Sequence, residues 1–214
     1  MKELEMIFKE NNFERDCFAI EHVNDSNLEI IGKIMGPFDS PYDGGVFRVD
    51  IQIPNQYPLI PPKCKMITKV WHPNVSSVTG AICLDILKDE WSPAFSISSI
   101  LLSIQALLSN PNPSDPQDAV VGSQYTKNRE LFNRTARYWT NVYAKESNEK
   151  TKSLLNDKNG KAMKKRKTES DGTEFKDFDF LLMKVMKEKS VPKDKALESL
   201  SCSNWDLEQA YRLL

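Results

Sequence analysis

The 214 residues carry 29 Lys and Arg against 30 Asp and Glu, a formal net charge of −1, with 28% of residues charged. So even a balance argues against a nucleic-acid binder's one-signed field, and the longest apolar runs fall far short of the roughly 20 residues that span a membrane. The start, Met1-Lys2-Glu3-Leu4-Glu5, has no apolar signal core. Cys17, Cys64, Cys83 and Cys202 show no CxxC spacing and the only histidines are His22 and His72, which argues against a zinc site and for reduced thiols in the cytosol or nucleus.

In chain order, residues 1–9 read as a short helix with Leu4, Ile7 and Phe8 on one side. Residues 18–23 form a first strand, 24–27 supply turn chemistry, and 28–35 form a second strand. In 46–53, Phe47, Val49, Ile51 and Ile53 alternate with Arg48, Asp50 and Gln52, until Pro54 ends the strand. A fourth strand covers 63–68, and the short connections predict an antiparallel meander. Ile97, Ile100, Leu101, Ile104, Leu107 and Leu108 recur at helical spacing until Pro111 and Pro113 stop them. A short helix at 118–125 and an amphipathic one through Leu131, Phe132, Thr135, Ala136, Trp139, Val142 and Tyr143 follow. Strands first and helices after predict an α+β domain over residues 1–146.

Residues 147–173 are poor in apolar side chains and read as a charged linker. Within 161–167, Lys164-Lys165-Arg166-Lys167 is either a solvated charge run or a nuclear import signal. Apolar periodicity returns in 174–214. Phe178, Leu181, Leu182, Val185 and Met186 make one stripe, and Pro192 suits the first turn of a second helix with Ala196, Leu197 and Leu200. Ser203 or Asn204 can cap a third helix containing Trp205, Leu207, Ala210, Leu213 and Leu214. These make a small three-helix bundle.

The stretch from His72 to Leu84 carries the chemistry. Pro73 fixes its own φ and biases His72 toward extended backbone, and Gly80 permits a tight bend before Cys83. The apolar run from Ala81 to Leu84 should pack on the core with the thiol at its edge. A cysteine in such a run is commonly a small buried hydrophobe. The alternative is a covalent acyl carrier, with the Asn74 carboxamide, nine residues earlier, as hydrogen-bond donor to the oxyanion. No His or Lys in the next few positions offers the sulfur a positive partner, and Asp85 is an anion. Cys83 therefore suits thioester exchange better than protease-type attack.

His72-Pro73-Asn74, a spacer, and then Gly80-Ala81-Ile82-Cys83-Leu84-Asp85 resemble the active-site signature of ubiquitin-conjugating enzymes. Gly36-Pro37 with Ser40-Pro41-Tyr42 and Gly44-Gly45, Tyr57-Pro58 with Pro61-Pro62-Lys63, Trp91-Ser92-Pro93-Ala94, and Asp115-Pro116 resemble further motifs, in that family's order. Residues 76–88 are similar to the subclass with a C-terminal ubiquitin-associated domain, the 25-kilodalton huntingtin-interacting type. Asn204-Trp205-Asp206-Leu207-Glu208-Gln209-Ala210 resembles that domain's third helix. Its binding loop, usually Met-Gly-Phe or Met-Gly-Tyr, is replaced by Lys189-Ser190-Val191.

The resemblance implies the ubiquitin-conjugating fold, a four-stranded antiparallel meander with flanking helices. An activating enzyme would load ubiquitin on Cys83 as a thioester, and a substrate lysine would attack it to give an isopeptide bond, building polyubiquitin for proteasomal degradation. Thioester cleavage drives the reaction, so no metal, nucleotide or other cofactor is implied. Asn74 is the oxyanion donor or a turn-closing side chain, or both. Asp115 orients or deprotonates the attacking lysine, or caps a helix. His72 is a hydrogen-bonded turn residue, and Asp85 and Leu84 line the groove. Leu59, Pro61, Pro62, Ser92, Pro93 and Ala94 face ubiquitin ligases, with Leu59 replacing a usual Phe. Lys2 and Lys9 on a clipped first helix are what remains for docking the activating enzyme. The implied protein is a monomer that binds ubiquitin, its activating enzyme, ligases and lysine-bearing substrates, with no nucleic acid and no membrane, in the cytoplasm, and in the nucleus too if the basic run at 161–167 is an import signal. Two other readings stay open: a conjugating enzyme for another ubiquitin-like modifier, against which the C-terminal module speaks, and a non-catalytic scaffold binding ubiquitin and ligases. A scaffold would not need Asn74, Cys83 and Asp115 together.

Overall fold

The structure, a computed structural model, describes residues 2–10, 12–22, 28–145 and 174–214. The 24–27 turn, the 147–173 linker, the basic run at 161–167 and the side chain of Lys2 lie outside that description. The chain divides into two compact units, Met1–Glu146 and Ser147–Leu214.

The first unit opens with α1 (Lys2–Glu10), whose Leu4 is buried. A four-residue helix, α2 (Phe13–Asp16), follows, and it gave no sequence signal because one turn is too short to show a period. The side chain of Asn12 accepts from Arg15 N–H at its start, and Cys17 closes it in the left-handed conformation, φ 61°.

Four strands, β1 (Phe18–His22), β2 (Glu29–Met35), β3 (Val46–Gln52) and β4 (Lys63–Met66), pair antiparallel in the order β1-β2-β3-β4, the meander read from the connections. The β2–β3 register sets Ile34 opposite Phe47, Gly32 opposite Val49 and Ile30 opposite Ile51. One face therefore carries Ile30, Ile34, Phe47, Val49 and Ile51, all buried. β4 stops two residues before the expected end. There both Ile67 and Thr68 N–H converge on the Arg48 carbonyl, 2.8 and 3.3 Å, and the ladder cannot continue.

The inward face is covered by α3 (Ile97–Ser109), whose Ile97, Ile100, Leu101, Ile104, Leu107 and Leu108 are all buried. Each such side chain contributes about 1.5–3 kcal/mol. Gly32 sets the approach: a Cβ there would lie 2.5 Å from Leu101 Cδ2. Ser96 and Ser99 cap the helix start reciprocally. Next come α4 (Ala119–Lys127) and α5 (Arg129–Trp139), the latter continuing through one π-helical turn, Thr140–Ala144. Asp118, not Ser114 or Asp115, caps α4, because its carboxylate reaches Val121 N–H. Trp71 joins these helices to the active loop: its ring lies 5.1 Å from that of Trp139, and its indole N–H donates to Gln124 at 2.7 Å.

The second unit holds α6 (Lys176–Lys189), α7 (Lys193–Cys202) and α8 (Leu207–Arg212). Phe178, Leu182, Val185, Ala196, Leu197, Leu200, Trp205 and Ala210 are buried, with the rings of Phe178 and Trp205 stacked at 3.5 Å. The third helix is shorter than its apolar pattern suggests. Asn204 and Trp205 both take positive φ, 53° and 64°, which no helix accommodates, so Asp206 caps α8 instead of Ser203 or Asn204. Trp205 anchors the preceding turn, and Leu213 and Leu214 lie beyond the helix, exposed. Pro192 is likewise one residue earlier than expected, at the N-cap of α7.

Candidate active site

The loop before Cys83 is folded on itself and stapled to the sheet. Cys83 N–H donates to the Asn74 carbonyl at 2.8 Å, Ser76 N–H to Ala81 at 2.9 Å, and Gly80 N–H to Ser76 at 2.9 Å. Gly80 has φ +74°, and a Cβ there would lie 2.1 Å from the Met66 carbonyl. No other residue fits that bend. Val75 and Ile82 are buried beneath it, while Cys83 is half-buried, so the sulfur sits at the edge of the core.

Three groups bear on the thiol or its loop. Asp115 Oδ2 lies 3.8 Å from Cys83 Sγ, although the two residues are 32 apart in sequence. Lys88 Nζ lies 3.3 Å from the same sulfur. Sequence reasoning found no positive partner close enough along the chain. The chain winds instead through a 3₁₀ turn, Asp85–Leu87, closed by Lys88 N–H on the Asp85 carbonyl at 2.8 Å, which carries the amine back over the sulfur. The third group is Asn74, buried and 2% exposed. Its Nδ2 donates to the Asn112 and Asp115 carbonyls at 2.8 and 3.1 Å, and its Oδ1 accepts Asn112 N–H at 2.7 Å. Both amide protons are thus engaged in holding the loop that carries Asp115.

His72 is the hydrogen-bonded turn residue expected. Asn74 N–H donates to its Nδ1 at 3.0 Å and Nε2–H donates to the Leu107 carbonyl at 3.0 Å, which fixes the Nε2–H tautomer. Burial pushes it down to about 4, only partly offset by the Leu107 hydrogen bond, so it is neutral at physiological pH. A further tie went unread in the sequence. Ser77 donates through Oγ and N–H to Asp118 Oδ2, 2.6 and 3.2 Å, and Asp118 N–H donates to the Pro73 carbonyl at 3.0 Å. One carboxylate thereby caps α4 and fixes the active loop.

Asp85 is exposed, but its Oδ1 accepts Ile86 N–H at 2.7 Å, and Leu84 beside it is half-buried. Cys64 is the contrasting thiol: desolvation, with Asp50 nearby, pushes it up to about 12, so it stays protonated. All four cysteines are free.

The two loops read as ligase-facing stand side by side. Trp91 Nε1–H donates to the Pro58 carbonyl at 2.9 Å, and the rings of Tyr57 and Trp91 are 6.1 Å apart. Leu59 is 74% exposed, and Pro93 and Ala94 are exposed, whereas Pro61 and Ser92 are half-buried. Pro62, read as ligase-facing, is buried in its loop. Lys9 is exposed on α1.

The sequence model described as ubiquitin-conjugating enzyme matches residues 1–140. The chain belongs to the ubiquitin-conjugating enzyme family. It is 54% identical over 151 residues to ubiquitin-conjugating enzyme E2 27 of Arabidopsis thaliana, covering 70% of this chain and 79% of that protein. It is 50% identical over 143 residues to human ubiquitin-conjugating enzyme E2 K, covering 67% and 72%. A solved ubiquitin-conjugating E2 domain from Toxoplasma gondii matches with TM-score 0.62 and 50% identity, over 67% of this chain and 94% of that one. The E2 is therefore an enzyme that works with ubiquitin, an activating enzyme and ligases. No helix among the described residues is long and apolar enough to cross a membrane.

Proposed function

We propose that Cys83 accepts the C-terminus of ubiquitin as a thioester and passes it to lysine amines, with Asp115 and Asn74 as its immediate machinery. The observation that carries this is the placing of one half-buried thiol between the Asp115 carboxylate and the Lys88 amine, on a loop tied by backbone hydrogen bonds. Loading exchanges one thioester for another, so the bond energy is retained. In discharge the acceptor nitrogen attacks the carbonyl carbon, the C–S bond breaks, and the sulfur leaves as thiolate. The proton shed by the nitrogen passes to Asp115 and then to water. Lys88, as an ammonium, donates to the departing sulfur. Asn74 holds the Asp115 loop, and any donation to the oxyanion requires one of its two amide protons to leave that loop.

Lys9, with Lys2, docks the activating enzyme, and Leu59, Pro61, Ser92, Pro93 and Ala94 meet ligases. The second unit is a ubiquitin-associated-like bundle, and the subclass points to polyubiquitin made for degradation.

Charging with ubiquitin, activating enzyme and ATP tests the central claim. The wild type forms an adduct that a reducing gel removes, Cys83→Ala forms none, and Cys83→Ser forms an oxyester that survives thiol. Charging of Cys83→Ala through another cysteine would reject the assignment.

A further inference from the structure

Glu3, in the first turn of α1, reaches two elements far from it in sequence. Its Oε1 accepts Ile97 N–H at 2.5 Å, and its Oε2 accepts the Tyr57 hydroxyl at 2.9 Å. Ile97 is the first residue of α3, whose opening N–H groups have no partner within the helix. The Ser96 side chain serves only Ser99, so Glu3 supplies an acceptor the helix lacks, and the helix dipole favours a carboxylate there. Tyr57 in turn lies 3.4 Å from the Phe95 carbonyl, stands beside Trp91, and opens the loop carrying Leu59, while Trp91 clamps that loop through Pro58. One carboxylate therefore joins α1, the Leu59 loop and the segment between Trp91 and α3. Among the described side chains of α1 the buried one is the apolar Leu4, which resists sliding poorly.

We propose that Glu3 is a positioning residue that locks α1 and the two neighbouring loops into one preformed docking platform for the activating enzyme and ligases. The proposal rests on the reading of these elements as docking faces. Without the carboxylate, α1 and the Tyr57 loop sample several relative positions. Each partner must then select the competent one, which weakens apparent affinity without touching the thiol.

The experiment is steady-state charging by a ubiquitin-activating enzyme with the full chain as varied substrate. Glu3→Ala raises KM about 10-fold and leaves kcat within about 2-fold, and Tyr57→Phe, which removes one of the two bonds, raises KM about 3-fold. Glu3→Gln rescues, because its carboxamide oxygen accepts Ile97 N–H and its NH₂ donates to the Tyr57 oxygen. A residue needed only as a charge would not be rescued. Release of the preloaded thioester to free lysine, which needs no partner, reports whether the fold is intact. Lys9→Glu tests the docking reading by itself. A raised KM for Lys9→Glu with an unchanged KM for Glu3→Ala keeps that reading and sinks the role of Glu3. An unchanged KM for Lys9→Glu sinks the docking reading of α1 and the proposal with it. A fall in kcat, or in release to free lysine, for Glu3→Ala would mean a general fold defect and overturn the proposal.

Discussion

His72 sits neutral between Asn74 N–H and the Leu107 carbonyl, and its proton affinity writes itself into the stability of the catalytic unit. Folded, it titrates at about 4, against 6.5 for the ordinary side chain. The unfolded chain thus binds the extra proton first as pH falls. The stability His72 contributes is complete above pH 6.5 and is lost progressively down to about pH 4, for a total on the order of 3 kcal/mol. Glu21, whose desolvation is outweighed by Lys33 and Arg48 so that it is held below its ordinary value of 4.5, loses its share only as pH falls below 4.5. Between pH 6.5 and 5 the fall in melting temperature should therefore be mostly that of His72. His72→Gln should flatten it, and an unchanged slope in that variant would refute the assignment.

Asn74 and Asp115 pose a different question of cause, because the carboxamide of one holds the backbone of the other. Asn74→Ala should charge normally and release ubiquitin to lysine about 10²-fold more slowly. Asp115→Ala should also slow release, most at lower pH, where the attacking amine is harder to deprotonate. If Asn74 acts through the loop, the double variant is slower than the worse single variant by no more than about 3-fold, whereas an independent oxyanion contact would make the two losses multiply. Single-turnover chase rates decide between them. The structure predicts the first pattern, since both amide protons are engaged at rest.

At the scale of elements, the end of α6 holds a testable strain. Ser190 takes φ 53° and ψ 39°, the left-handed conformation in which a helix commonly ends on Gly. By the resemblance to ubiquitin-associated domains, Ser190 stands where that family has Gly, and the backbone nonetheless keeps the shape that Gly would give. For a residue with a Cβ this costs roughly 1 kcal/mol. Ser190→Gly should raise the unfolding free energy of the second unit by about that amount, measured by hydrogen exchange of its amides, and no gain would show the strain to be relieved elsewhere. Elements were legible where a period runs long enough. The alternation of 46–53 and the stripe of α3 both placed their buried faces correctly. Legibility failed where backbone conformation overrides apolar pattern. Trp205 belongs to the apolar stripe of α8 by spacing, yet its positive φ keeps the helix from starting until after it. In the site, the Cys83 loop could be read from its own residues. The Lys88 contact depends on a 3₁₀ turn and the Ser77–Asp118 tie on residues 41 apart, and neither leaves a mark in local sequence.

At the scale of the whole molecule, a catalytic unit and a helical unit share one chain. The second unit has its own buried core around Phe178 and Trp205. Where the ubiquitin-associated family presents Met, Gly and an aromatic ring, this chain presents Lys189, Ser190 and Val191. The Lys189 ammonium lies 4.9 Å from the centre of the Tyr211 ring on α8, and Tyr211 also hydrogen-bonds Glu188. The end of α6 and the face of α8 are thus joined by polar and charged groups at the place where, by the resemblance, ubiquitin-associated domains offer ubiquitin an apolar surface. Losing one buried apolar contact costs about 1–3 kcal/mol, or about 5- to 150-fold in Kd. Leu213 and Leu214, exposed past α8, supply part of a contact at most. Labelled ubiquitin titrated with the Cys83→Ala chain, and in parallel with residues 1–146, should shift almost alike, with little added by the second unit. Ser190→Gly alone should not restore binding, because the Lys189 charge remains, whereas Lys189→Met with Ser190→Gly and Val191→Phe should. Strong shifts on the apolar patch of ubiquitin that require residues 174–214 of the unaltered chain would prove this wrong.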